Sequence, residues 1–377
     1  MHSDEKPLAL CLSGGGIRAM AFHAGVMRSI AKSGKLENVK YISTVSGGSL
    51  LIGMIYSQNN HKWPDSQTYI KKIEPKIKSI LTKNSLVLNS FFRCINPLNY
   101  RYLLSRSNII AQSLESTWKV NGTIGKINGD PEWSINGTSL ETGRRFRIKG
   151  ISGGDYKLGY FEDENFPLSQ AIAMSAGVPG VIGPLVINAE KFNWHQLNYP
   201  TRTKNKIQPK FKKLHIYDGG IYDNLGTEQF FDIGKQRLKP YFDNCELIVS
   251  DAGSPFSLSA SAGKLNPKRL LRVNDIMMDQ SRSLRVRSLM NYYLNKRGAG
   301  AYIRLGDSSN EVIKLYSLNL PFKSQLTEGD ISHASTYNTT LFKMPEKSYN
   351  ILSAHGEELT SILKDGKRLY SQKNQPL

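Results

Sequence analysis

Cysteine is scarce in this chain. Its 377 residues include three, Cys11, Cys94 and Cys245, far apart and odd in number. That excludes a disulfide framework and reads as buried free thiols in a reducing compartment. No Cys-x-x-Cys pair or Cys/His cluster occurs, so nothing suggests a bound metal. No apolar run reaches the roughly 18 residues of a membrane span. The opening MHSDEKP lacks the basic, apolar and small-residue regions of a signal peptide. The expectation is a protein made in the cytoplasm that meets a membrane from its surface. There is no internal repeat, coiled-coil pattern or low-complexity segment. Acids are also in short supply: 31 Asp and Glu face 50 Lys and Arg, a formal charge of +19. A surface that basic attracts phospholipid headgroups, nucleic acid or acidic proteins, and charge alone does not choose among them. With 39% hydrophobic residues, the chain can fill one large domain or two modest ones.

The stretch VKYISTVSGGSL, residues 39–50, organises what is present. A β-type run, Val39–Val45, reaches Ser46, meets Gly47 and Gly48, and continues as a good helix face, LLIGMIY. A serine at so sharp a strand-to-helix turn has its hydroxyl pushed out above the sheet edge, and small residues are needed beside it. The helix that follows brings its free N–H groups and positive end next to that oxygen. A nucleophilic serine needs this arrangement. The usual elbow reads G-x-S-x-G; here Thr44 replaces the first glycine and threatens to crowd the helix against the strand. Read blandly, Ser46 is only a helix N-cap. Ser43 and Ser49 lack the paired glycines just downstream.

Upstream, the strand candidate Leu8–Leu12 runs into Ser13-Gly14-Gly15-Gly16-Ile17-Arg18 and then a helix closed by Gly34. Glycines between a strand and a helix can turn their N–H groups inward as an anion nest. Gly14-x-Gly16-x-x-Ala19 formally fits a dinucleotide fingerprint, but the next strand ends Ser43-Thr44-Val45-Ser46 without the acid that site needs. A P-loop is excluded because no Gly-Lys-Ser/Thr ending follows. The third reading is an oxyanion hole serving Ser46, since loops after successive parallel strands share one sheet edge.

Further on, residues 61–120 are mixed and basic, with two helix candidates that cap the site or simply cover the sheet; Pro75 should break or start the first. Residues 131–138 and 144–148 read as strands around a turn, and SQAIAMSAGVPG as a helix stopping before Pro179. Residues 189–213 look like a flexible excursion. Leu214–Tyr217 then delivers Asp218, freed by Gly219 and Gly220; Asp223 is the rival acid, and an Asx turn is the bland account of Asp218. A second acid-ended strand, Cys245–Asp251, follows. Beyond it lies a stretch dense in cations (Lys264, Lys268, Arg269, Arg272, Arg282, Arg285, Arg287, Lys296 and Arg297) that reads as a basic amphipathic helix, suited equally to a membrane or to a core with a solvated face. Residues 349–363 form a last helix candidate. Of the histidines, His23 is near enough to reach the site, whereas His215 should face away from Asp218 on its strand. His195 falls in the excursion, and His333 and His355 in the tail.

Ser13–Ala19, the Val45–Ser49 elbow and Asp218-Gly219-Gly220 come in the order seen in patatin-like phospholipases, and the chain resembles that family over residues 7–255. The Ser-Gly-Gly-Gly-x-Arg-Ala form is also similar to the cytosolic phospholipase A2 catalytic fold, and Ala173–Gly180 resembles the small-residue helix and proline turn of patatins. The resemblance implies one α/β domain over residues 1–377, a mainly parallel sheet flanked by helices, with 61–120 as a helical cap and 260–377 as a helical, basic C-terminal part. It implies a Ser–Asp dyad of Ser46 and Asp218, oxyanion donors from Gly14, Gly15 and Gly16, and Arg18 in phosphate contact or charge stabilisation. No metal or cofactor enters that chemistry. The implied activity is hydrolysis of fatty-acyl esters in membrane phospholipids, on a surface of anionic lipid and without nucleic acid. The competing classes are a non-enzymatic basic module that binds anionic lipid or nucleic acid, and a nucleotide-dependent oxidoreductase.

Overall fold

The computed structural model describes residues 6–198, 201, 203–253 and 268–373. Its heart is a parallel run of five strands, in the order β14 (Gly300–Arg304), β13 (Glu246–Asp251), β1 (Leu8–Leu12), β2 (Val39–Val45) and β3 (Glu132–Ser139). Beyond β3 the sheet becomes antiparallel through β4 (Arg145–Lys149), β5 (Ser152–Asp155), β6 (Gly159–Glu162), β8 (Trp194–Leu197) and β9 (Lys204–Ile207). Two more strands, β7 (Leu185–Asn188) and β10 (Lys213–Asp218), pair with each other, and β10 joins β3. A small hairpin, β11 (Phe231–Asp232) with β12 (Arg237–Leu238), stands apart. This is a mixed α/β fold with the expected parallel core.

Alternation along β1 builds the layers. Leu8, Leu10 and Leu12 face one apolar core, and Ala9 and Cys11 the other. Over the first face lie α1 (Gly16–Lys32), α2 (Gly47–Gln58), α7 (Leu168–Ser175) and the long α12 (Glu346–Lys373). Helix α1 is buried on nearly every side, which its small residues permit. It crosses α12 so closely that a methyl group on Gly25 would lie 1.8 Å from the Ser353 carbonyl oxygen. The second face is covered by α8 (Gly220–Asp223) with the segment after it, and by α9 (Lys268–Asn295), which buries Leu289, Tyr292 and Tyr293. Two short helices, α10 (Ser309–Leu315) and α11 (Glu328–Thr336), each begin with a capping box.

Some expectations hold and others change. Pro75, expected to break or start a helix, starts one: it stands in the first turn of α4. α3 (Ser66–Thr68) passes through a π-turn, Tyr69–Ile73, into α4 (Glu74–Lys83), and the wider turn lies where the proline ring would press on the preceding coil. Residues 61–120 continue with α5 (Leu86–Ile95), a 3₁₀ turn (Pro97–Tyr102) and α6 (Ser107–Thr117). The polar stretch 189–213 is no loose excursion: β8 and β9 pair there at the sheet edge, and Trp194 is buried. Cys94 is only half-buried, while Cys11 and Cys245 are buried free thiols. Among the described residues, no helix is long and apolar enough to cross a membrane.

Candidate active site

Strand register brings the site together. β2 follows one edge of β3 as far as Asn136, opposite Val45. β10 runs the other way along β3 and ends with Asp218 opposite Gly137. Since β4 holds the far edge of β3, β2 and β10 share the near edge and their C-terminal ends meet head-on. The residues at that junction are Ser46 and Asp218. Ser46 lies close enough to Asp218 for its hydroxyl to favour the ionised carboxylate.

Both groups are nearly out of solvent, Ser46 at 6% exposure and Asp218 at 3%. Burial pushes the Asp218 carboxyl up to about 7, although the Gly220 amide (2.7 Å to Oδ1) and the Ser46 hydroxyl pull the other way. Ser46 sits at φ 49°, ψ −113°, outside the region that serine prefers. What holds it is Ser175 on α7. The Ser175 hydroxyl accepts the Ser46 N–H at 3.0 Å and donates to the Asn136 carbonyl at 2.6 Å. Asn136 belongs to no recognisable motif, and Ser175 was covered only by the patatin-like run Ala173–Gly180, with no role attached to it. The one available signal was a serine inside the small-residue run Ala173–Gly177.

Thr44 does not crowd the turn. Its hydroxyl lies 2.8 Å from the Ser49 hydroxyl and accepts the Trp133 indole N–H at 2.9 Å, so the side chain is taken up in a buried polar network. The glycines that matter are downstream. A methyl group on Gly47 would lie 2.5 Å from the Gly16 oxygen, and one on Gly48 would lie 2.4 Å from the Leu12 oxygen. The elbow therefore presses directly on the triple-glycine loop, and the N-termini of α1 and α2 converge beside the Ser46 oxygen.

The three loop glycines differ. The Gly14 amide donates to the Asn224 carbonyl at 3.1 Å and so is not available as an oxyanion donor in this arrangement. Gly15 (φ 141°) and Gly16 (φ 58°) adopt backbone that side chains avoid, and their amides have no hydrogen-bond partner among the described residues. Asn224 was not singled out from the sequence. It links the loop to Asp218: a methyl group on Gly14 or Gly220 would lie 2.4 or 2.8 Å from its side-chain oxygen.

Arg18 is neither solvated nor presented to the site mouth. It is 2% exposed, and it donates from Nε to the Ala252 carbonyl at 3.2 Å and from Nη1 to the Tyr337 carbonyl at 2.7 Å. Burial lowers its pKa to about 10. Its guanidinium lies behind Gly15 and braces the loop. His23 is likewise committed, 2.7 Å from the Ser250 hydroxyl and 3.0 Å from the Ser13 carbonyl, and burial lowers it to about 4, so it is neutral. His215 faces away from Asp218 and pairs with Glu141. His195, His333 and His355 bond or stack elsewhere. Among the described residues, no group of three or more His, Cys, Asp or Glu could hold a metal ion.

A family model, the patatin-like phospholipase, matches residues 10–231. The chain belongs to the patatin-like phospholipase family. Among solved structures, human GIVD cytosolic phospholipase A2 is similar at a TM-score of 0.55 and 15% identity, covering 99% of this chain and 60% of that one. The same human protein in complex with methyl gamma-linolenyl fluorophosphonate gives a TM-score of 0.52 and 14% identity, again over 99% and 60%. VipD from Legionella pneumophila is more distant, with a TM-score of 0.40 and 16% identity over 96% of this chain and 67% of that one. This patatin-like chain thus spans about 60% of the length of the human structures, and the likeness is one of fold.

Proposed function

We propose that this patatin-like chain is a lipid acyl hydrolase of the phospholipase A or lysophospholipase type, with Ser46 as nucleophile and Asp218 as its base. The observation that carries the reading is the meeting of Ser46 with a buried Asp218 where β2 and β10 end against each other, beside the Gly15 and Gly16 amides, which have no partner among the described residues. A carboxylate raised to about 7 is a stronger base than an ordinary one and is still substantially ionised at neutral pH.

In this mechanism the Ser46 oxygen bonds to the carbonyl carbon of a fatty-acyl ester while its proton passes to Asp218. The carbonyl oxygen becomes an oxyanion, held by the Gly15 and Gly16 amides and the positive ends of α1 and α2. Loss of one such donor costs on the order of 3 kcal/mol in barrier. The intermediate collapses, the ester C–O bond breaks, and the leaving alkoxide takes the proton back from Asp218. Asp218 then draws a proton from water as the water oxygen attacks the acyl-serine; the bond from the acyl carbon to the Ser46 oxygen breaks, Ser46 takes the proton from Asp218, and the fatty acid leaves. Arg18 serves by holding the loop in place rather than by touching phosphate. The formal charge of +19 suits a protein that works peripherally on anionic phospholipid.

The test is acyl release from mixed phosphatidylcholine and phosphatidylglycerol vesicles, and from a soluble short-chain ester. Ser46→Ala should lower both by at least about a thousandfold. Release unchanged in the variant would end the serine assignment.

A further inference from the structure

Helix α5 is built inside out. Toward α6 it presents polarity: the Ser90 hydroxyl donates to Ser113 at 2.9 Å, and just beyond the helix Asn99 exchanges hydrogen bonds with Gln112 at 3.2 and 3.1 Å. Toward solvent it presents Leu88, Phe91, Phe92 and Ile95, spaced to share one face. The 3₁₀ turn and the loop behind it add Leu98 and Leu104. Phe92 is 68% exposed and Leu104 is 92% exposed, where a folded monomer normally covers such groups.

The stretch of chain that carries this ridge has charge of one sign. From Pro75 to Leu114 the chain has no Asp or Glu, yet it carries Lys76, Lys78, Lys83, Arg93, Arg101 and Arg106. Of these six, only Lys78 makes an ion pair among the described residues, with Glu346. The ridge also adjoins the site. Gly183 packs so near the Leu104 carbonyl that a methyl group on it would lie 3.1 Å away, and Ser107 donates to the Gly183 carbonyl at 2.6 Å. The Gly177 carbonyl, in the same turn, accepts the Asp218 N–H at 3.0 Å.

We propose that the ridge formed by α5 and residues 97–104 is the face that docks on an anionic lipid bilayer, sinking Phe91, Phe92 and Leu104 among the acyl chains while the surrounding cations meet the headgroups. An exposed aromatic ridge on a stretch of chain that carries cations and no acids fits a negatively charged apolar-cored surface. A second copy of the chain would bring like charge against like. The inference rests on the lipid-hydrolase reading for its orientation toward the site, but its test does not need turnover.

The test starts from Ser46→Ala, which binds without hydrolysis, and measures co-sedimentation with vesicles of phosphatidylcholine containing phosphatidylglycerol. Adding Phe91→Ser and Phe92→Ser should weaken partition at least tenfold, while the same two changes in the active chain leave short-chain ester turnover unchanged. Phe92→Trp should give an indole emission that shifts to the blue on adding these vesicles. Undiminished partition, no shift, or a dimer dispersed by the double serine variant would each overturn the assignment. Loss of ester turnover by Ser46→Ala with no effect of the ridge variants would do so while leaving the catalytic reading intact.

Discussion

Two aspartates of this chain end strands, precede glycines and are buried, yet they live in opposite surroundings. Asp251, at the end of β13, is fully buried and answered: Arg282 of α9 donates to its Oδ2 at 2.8 Å, Tyr302 donates to the same oxygen at 2.6 Å, and the Gly253 amide donates to Oδ1 at 2.8 Å. Burial works against the charge of Arg282, but Asp251 and Tyr302 more than offset it and raise its pKa. Asp218, at the end of β10, has no cation in its first shell of partners. It has one amide and one hydroxyl, and its pKa rises to about 7. The same local device, a strand-ending aspartate that accepts the amide of a glycine two residues on, therefore yields an anchor in one place and a base in the other. The difference lies in what a distant helix brings, a charge for Asp251 and, near Gly220, the methyl of Met278 for Asp218.

Substitutions at the two positions should separate the roles. Asp218→Asn should lower turnover by roughly a thousandfold to ten-thousandfold. It should also stabilise the fold. The folded carboxyl titrates near 7 against an ordinary value of 3.8, so the wild type loses stability as pH rises from about 4 to 7. The asparagine variant escapes that loss and should exceed the wild type by up to about 4 kcal/mol above pH 7, with the gap closing as pH falls toward 4. Denaturant melts at pH 5 and pH 8 would read it; a variant less stable at pH 8 would contradict the burial argument.

Asp251→Asn should do the reverse. It takes from the buried Arg282 guanidinium its short carboxylate contact and leaves the longer one to Asp279, at a cost of about 3 kcal/mol, while the molecules that remain folded keep most of their ester turnover. Arg282→Met makes Asp251 resemble Asp218. Stability should fall by about 3 kcal/mol, read by denaturant melts, because the buried carboxylate loses its cation. The smallest effect is expected at Thr44. Thr44→Gly restores the usual elbow but removes the buried bonds to Ser49 and Trp133, so the fold should lose about 1–2 kcal/mol with turnover little changed. A large gain in turnover would show that the threonine does constrain the elbow.

The contrast also marks what could be read from residue order. The triple-glycine loop, the elbow and the Asp-Gly-Gly turn are local devices, each needing a special backbone, and glycine spacing announces them. Their meeting was inferable because β1 and β2 are parallel neighbours. The head-on approach of β2 and β10 was not, since strand register on β3 leaves no trace in either segment. The support from Ser175, Asn136 and Asn224 was silent for the same reason. At α9, read equally as membrane-facing or as cover for the core, some of the cations turn inward. Arg282 and Arg285 point inward to Asp251, Asp223 and Glu228, so these two cations serve the fold. Lys264 of that stretch, and the side chains of Lys268 and Arg269, lie outside the described residues. The freer cations gather around α5, whose pattern alone resembled ordinary cover for the sheet.

The most direct measurement is covalent labelling by a fluorophosphonate, with the modified residue located by mass spectrometry and the rate followed against pH. Ser46 should carry the label, the rate should fall as pH drops through about 7, and Asp218→Asn should slow it at least a hundredfold. A label on another residue, or an Asp218→Asn chain that reacts as fast as the wild type, would contradict the account.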